Sequence, residues 1–172
     1  LGESVTRLRW LSMALVSAQL EIVESSLDLS ALVEEAMSRV QPPLPDACEC
    51  TYTGVSGIIV HADLALLVQG LALLLNAASL RLGNGHGSSA HPQLKLRVRA
   101  KAGKAVLCLA YNAPHRGPPE ADGHEKLALK VLRSIGASAS VLGTKRWSVI
   151  HVRLPRDAAP ANARDRGSLE EE

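Results

Sequence analysis

Apolar residues near the start of the chain recur at Val5, Leu8, Leu11, Leu15, Ala18 and Ile22. Steps of three and four are the period of one helical face, so a helix is predicted over residues 3–24, with Ser4 as its N-cap. The stripe is narrow and suits a helix that packs against a partner helix. A second helix is predicted over 29–40. Asp28 caps it, Leu29, Leu32, Val33, Ala36, Met37 and Val40 form its apolar face, and the proline-rich run at 41–45 stops it. Short strands follow at 48–54 and 57–61. Asp63 then caps a third helix over 64–82, which is apolar around most of its circumference and so must be covered on more than one side. Residues 83–89 (GNGHGSS) read as a loop.

Leu94, Leu96 and Val98 alternate with Lys95, Arg97 and Arg99, the mark of a half-buried strand over 94–101. Gly103 turns it into a second strand over 105–111. Residues 112–123 (NAPHRGPPEADG) read as a loop, 124–135 as a fourth helix, and 138–142 and 147–154 as closing strands. This order fits an α/β two-layer sandwich, helices on one face of a mixed β-sheet, preceded by a long helix. Three segments are expected: a dimerisation helix at 1–26, a globular domain at 27–155, and a polar, disordered tail at 156–172.

Composition narrows the function. The chain has 172 residues, 47% of them hydrophobic, with no Phe and only two Trp and two Tyr. A core of Leu, Val, Ile and Ala follows, and base-stacking single-strand binders are disfavoured. The net charge is only +2 and the arginines are scattered, so no nucleic-acid partner is expected. Cys48, Cys50 and Cys108 form no staple pattern and read as reduced thiols of a cytoplasmic protein. Residues 64–80 carry no charge, but polar interruptions at Gln69, Asn76 and Ser79 mark a buried core helix rather than a membrane insertion. Neither a nucleophile elbow nor a P-loop is present.

Several stretches together resemble a known family. Leu20-Glu21-Ile22 and Leu27-Asp28-Leu29-Ser30-Ala31-Leu32-Val33 are similar to the junction between dimerisation helix and catalytic domain in sensor histidine kinases. Val60-His61-Ala62-Asp63 with Leu73-Leu74-Leu75-Asn76-Ala77 resembles the approach to their N box and its Asn-Ala pair. Val149-Ile150-His151-Val152-Arg153-Leu154-Pro155 resembles their final strand. The resemblance spans residues 20–155 and implies a GHKL-type ATPase sandwich that holds ATP between a helix and a lid.

By that resemblance, Asn76 stands where the family's asparagine holds Mg²⁺, and an amide oxygen can ligate a hard cation. The polar residue one turn earlier is here Ala72, and the usual lysine three residues later is Ser79. The first glycine box, D-x-G-x-G, corresponds to Tyr111-Asn112-Ala113-Pro114-His115. Tyr111 replaces the adenine-binding aspartate; with the register shifted by one, Asn112 takes that place. The second box keeps only Gly123, beside Asp122 and Glu125, whose charges repel a triphosphate. Asn76, Tyr111, Asn112 and Gly123 are thus what is left of a degenerate nucleotide pocket.

This combination implies a two-component signalling module, a pseudokinase or histidine phosphotransferase type, that binds no cofactor. It is expected to dimerise through helix 3–24 and to dock a response-regulator receiver domain or a sensor kinase. No histidine precedes His61, so if the protein carries phosphate on histidine, that residue lies upstream of Leu1. The alternative is an active histidine kinase catalytic domain that binds Mg-ATP through Asn76. A third reading, an unrelated α/β interaction domain, would be favoured by a fold that lacks the long helix 64–82 packed across a mixed sheet.

Overall fold

A computed structural model describes residues 24–83, 91–113, 118–144 and 146–155. The predicted helix 3–24 therefore lies outside the described residues except at Glu24, which falls in a strand instead. That strand, β1 (Glu24–Asp28), was not anticipated: Glu-Ser-Ser-Leu-Asp has little strand propensity of its own. Its partner specifies it. β1 runs antiparallel to β3 (Ile59–Asp63), with Ser26 opposite His61 and Leu27 opposite Val60.

Helix α1 spans Leu29–Ser38 and buries Leu29, Leu32, Val33 and Ala36. Asp28 caps it as expected. One carboxylate oxygen accepts from Ser30 N (2.8 Å) and the other from Gly57 N (2.9 Å), so the cap also fixes the turn before β3. Helix α2 spans Leu64–Gly83, and Asp63 Oδ1 accepts from Leu66 N at its start (2.9 Å). By length and composition α2 could cross a membrane, but 78% of its most apolar window is buried inside the fold.

The main sheet has five strands in the order β2 (Glu49–Thr53), β4 (Gln93–Lys101), β5 (Lys104–Tyr111), β7 (Ser148–Pro155) and β6 (Ser138–Gly143). Only the β2–β4 pair is parallel, which makes the sheet mixed. The strands at 48–54 and 57–61 therefore belong to different sheets. β4 and β5 form the expected hairpin. Its turn puts Ala102 and Gly103 both at positive φ (49° and 69°), the twist that matches a tight hairpin.

Helix α3 (Pro119–Ser134) starts five residues before its predicted position. The sequence pattern predicts loop at Pro118 and Pro119, but proline is pre-organised for the first helical turn. Gly123 consequently sits inside a helix rather than on a lid. α2 and α3 cross closely at Gly70, where a Cβ would come within 2.8 Å of Leu132 Cδ2.

The core lies between the helices and one sheet face. Leu71, Leu74 and Leu75 of α2 and Val33 of α1 meet Leu96 of β4 and Leu107 and Leu109 of β5. The long helix thus does pack across a mixed sheet, the feature whose absence would favour the third reading.

Candidate functional site

The two ends that approach each other are the last turn of α2 and the first turns of α3. Arg81 is the only charged residue in α2 and lies in its last turn, where a cation complements the helix dipole. Asp122 and Glu125 lie three residues apart near the N-terminus of α3, on one face, where acids are favoured. Packing α2 against α3 brings the three together. Arg81 Nη1 donates to Glu125 Oε2 (2.5 Å) and to the Tyr111 hydroxyl (2.6 Å), and Nη2 donates to Asp122 Oδ1 (2.7 Å). The guanidinium carbon also lies 6.0 Å from the centre of the Tyr111 ring.

The centre of this cluster is dry. Tyr111 is 0% exposed and Arg81 3%. Glu125 is buried too, while Asp122 remains half in solvent. Burial by itself disfavours the Arg81 charge, but Tyr111, Glu125 and Asp122 more than offset it, and the guanidinium holds its proton more tightly than usual. Burial pushes the Tyr111 phenol up; Arg81 pulls the other way without cancelling it. Such a cluster is sound only when its members stay paired, because each would be costly alone.

Asn76 is elsewhere on α2. At 3.6 residues per turn it points about 140° around the helix from Arg81. It is 2% exposed, and its Oδ1 accepts from the backbone N–H of Gln41 (2.8 Å). One turn on, Ser79 Oγ lies 2.9 Å from both the Pro42 and Pro43 carbonyl oxygens and donates to them. These two polar residues clamp the proline-rich segment after α1 to the core helix.

Asn112 also serves the backbone. Its Oδ1 accepts from Gln93 N (2.6 Å) and its Nδ2 donates to His91 O (2.8 Å), extending the β4–β5 ladder by one rung. Next to it, Ala113 is buried, and its carbonyl accepts from Ser148 Oγ (3.0 Å). Gly123 is exposed on α3, with nothing within 4 Å of where a Cβ would stand. Pro114 and His115 lie outside the described residues. The structure therefore does not gather the four predicted residues into one pocket. Tyr111 joins a cluster centred on Arg81, Asn76 and Asn112 tie down backbone, and Gly123 faces solvent.

Sequence reasoning singles out Tyr111, Asp122 and Glu125 but not Arg81, the residue that joins them. The signal was a lone arginine closing an otherwise uncharged helix. Starting α3 at 124 hid it, because Asp122 was then assigned to a loop. An apolar cavity of about 10 Å³ lies in the core, lined by Val33, Leu74 and Leu109 among others. That is about the size of one water molecule and far below the several hundred Å³ of a typical ligand pocket.

No family model matches the chain, and no curated protein matches it by sequence. Its fold does have relatives among solved structures. Histidine kinase AdeS of Acinetobacter baumannii superposes with a TM-score of 0.64 at 15% identity, over 90% of this chain and 77% of that one. The nucleotide-free catalytic domain of histidine kinase ThkA gives 0.61 at 14% identity, over 80% of this chain and 98% of that one. ThkA in complex with the response regulator TrrA gives 0.67 at 14% identity, over 91% of this chain and 49% of that one. At these identities the likeness concerns architecture. The chain has the fold of histidine kinase catalytic domains, the GHKL-type α/β sandwich.

Proposed function

We propose that this chain is a histidine-kinase-like module of two-component signalling whose nucleotide site has become structural, and that it works by docking partners rather than by phosphorylating them. The observation that carries this reading is the Arg81–Tyr111–Glu125–Asp122 cluster. In the fold's resemblance-based scheme an aspartate at position 111 reads adenine. Here a buried tyrosine stands at that position, and its hydroxyl already has a cationic partner on the neighbouring helix.

The donor set does not fit Mg-ATP. The amide oxygen of Asn76, the one remaining metal ligand of the N box, is engaged by Gln41 N–H. Glu120, Asp122 and Glu125 crowd the N-terminus of α3, and their charge opposes the anion binding that helix N-termini otherwise favour. Loss of the adenine carboxylate alone removes a charge-assisted hydrogen bond of about 1.5–3 kcal/mol, roughly ten- to a hundredfold in affinity.

Partner docking follows from the same reading. A histidine kinase of this fold is known in complex with a response regulator, and a receiver domain is the partner proposed here. Dimerisation through residues 3–24 is the proposed route by which two such modules come together. The test is calorimetric titration with Mg-ATP and with a non-hydrolysable analogue. No saturable heat is expected up to millimolar nucleotide. Saturable binding at micromolar concentration, lost in Asn76→Ala, would overturn the reading in favour of an active kinase.

A further inference from the structure

The helices cover one face of the five-stranded sheet, and among the described residues the other face is predominantly basic. The register puts Lys95, Arg97, Arg99 and Lys101 of β4 on this open face, with Lys104 of β5 and Arg153 of β7 beside them. Among the described residues none of these six cations is in an ion pair, and Arg99 Nε is buried without a hydrogen-bond partner. Among the described residues one acid, Glu49, shares this face: it stands on edge strand β2 opposite Gln93, two residues along from the Lys95 row, and accepts from Gln93 Nε2 (2.9 Å). The whole chain carries only +2, so the face concentrates positive charge rather than sampling a generally basic protein.

The face also has an apolar end. Leu142 on the edge strand β6 is 61% exposed and lies in register with Val149 of β7. Trp147 precedes β7, and Lys95 Nζ sits 5.4 Å from the centre of its ring. A tryptophan and an exposed leucine at one end of a face rich in cations is the composition of a protein-binding centre with a charged surround.

We propose that this open sheet face docks an acidic segment of a partner protein, its carboxylates over the Lys95–Lys101 row and one apolar side chain against Leu142 and Trp147. Charge complementarity selects the acidic partner. The apolar end favours a protein over a nucleic acid, whose phosphates gain nothing from an exposed leucine. The surface does not depend on the reading of the Arg81 cluster, since a domain that bound nucleotide would carry the same face.

The test uses the full chain and a fluorescein-labelled peptide in which Glu and Asp surround a central Leu. Saturable binding is expected, weakening as salt is raised. The double variant Lys95→Glu/Arg97→Glu, both exposed positions, is expected to lose about tenfold or more in affinity, and Leu142→Ser a few-fold. Unchanged circular dichroism and melting confirm that the variants fold. The proposal is overturned by no saturable binding, or by binding indifferent to the charge reversal. It is equally overturned if a single-stranded oligonucleotide displaces the peptide at lower concentration and binds Leu142→Ser as well as the parent chain. A marked gain in affinity on deleting residues 156–172 would assign the face to the chain's own acidic end, Glu170-Glu171-Glu172, instead of to a partner.

Discussion

The two polar flanks of α2 solve the same problem with different chemistry. Toward α1, Asn76 and Ser79 hold backbone groups of residues 41–43 through neutral hydrogen bonds. Toward α3, Arg81 holds three side chains, two of them carboxylates. A neutral clamp loses little beyond its own bonds when one member is removed. An ionic cluster in a dry site loses far more, because the survivors are left charged and unpaired. In the kinase scheme implied by the sequence, both flanks border the nucleotide; here both fasten neighbouring parts of the fold.

That contrast is sharpest in Arg81→Ala. It strands the buried Glu125 carboxylate and the Tyr111 hydroxyl, and is expected to cost about 3–5 kcal/mol of unfolding free energy in urea titrations. Asp122→Asn, by comparison, touches a half-exposed partner and is expected to cost no more than about 1 kcal/mol. If Arg81→Ala is as mild as Asp122→Asn, the cluster is not the fastening described.

On the neutral flank the effects are smaller. Asn76→Ala leaves the Gln41 N–H without its acceptor, an expected loss of about 1–3 kcal/mol. Ser79→Ala removes one hydroxyl shared by two carbonyls, about 1 kcal/mol. Melts at low and high salt separate the flanks: neither loss is expected to depend on ionic strength. A salt-dependent Asn76→Ala would mean that this side chain answers to a charge instead.

How much of this could be read in the chain follows from how local each signal is. Period and capping residues located α1, α2, the hairpin and the last two strands within a few residues, because those signals sit inside the elements themselves. β1 was missed because its pairing with β3 lies 35 residues away at Ser26 and His61. The site shows the same divide. Tyr111 in place of the family's aspartate and Ala72 in place of its usual polar residue can be read from the chain alone. The partners these stretches find in the fold cannot. Arg81 meets Tyr111 across 30 residues and Glu125 across 44, and Asn76 meets Gln41 across 35. Only the packing of helices decides such pairs. The proline pair at 118–119 compounded this, since it serves equally as loop and as helix start.

The smallest difference between the flanks is their response to pH. Neither Asn76 nor Ser79 titrates. Tyr111 does, and burial sets its folded pKa above the unfolded value of about 10. A raised folded pKa means that the native state holds the phenolic proton more tightly than the unfolded chain does. The associated stability is complete below about pH 10 and is lost as pH rises through the folded value. Urea unfolding between neutral and strongly alkaline pH should therefore show a declining limb in the parent chain and in Ser79→Ala. Tyr111→Phe starts lower, having given up the hydroxyl that Arg81 addresses, but its limb should be flatter. The informative quantity is the difference in slope between the parent chain and Tyr111→Phe. Identical slopes in the parent and Tyr111→Phe would mean that the phenol titrates as freely in the fold as out of it, which a ring with no exposed surface against α2 does not allow.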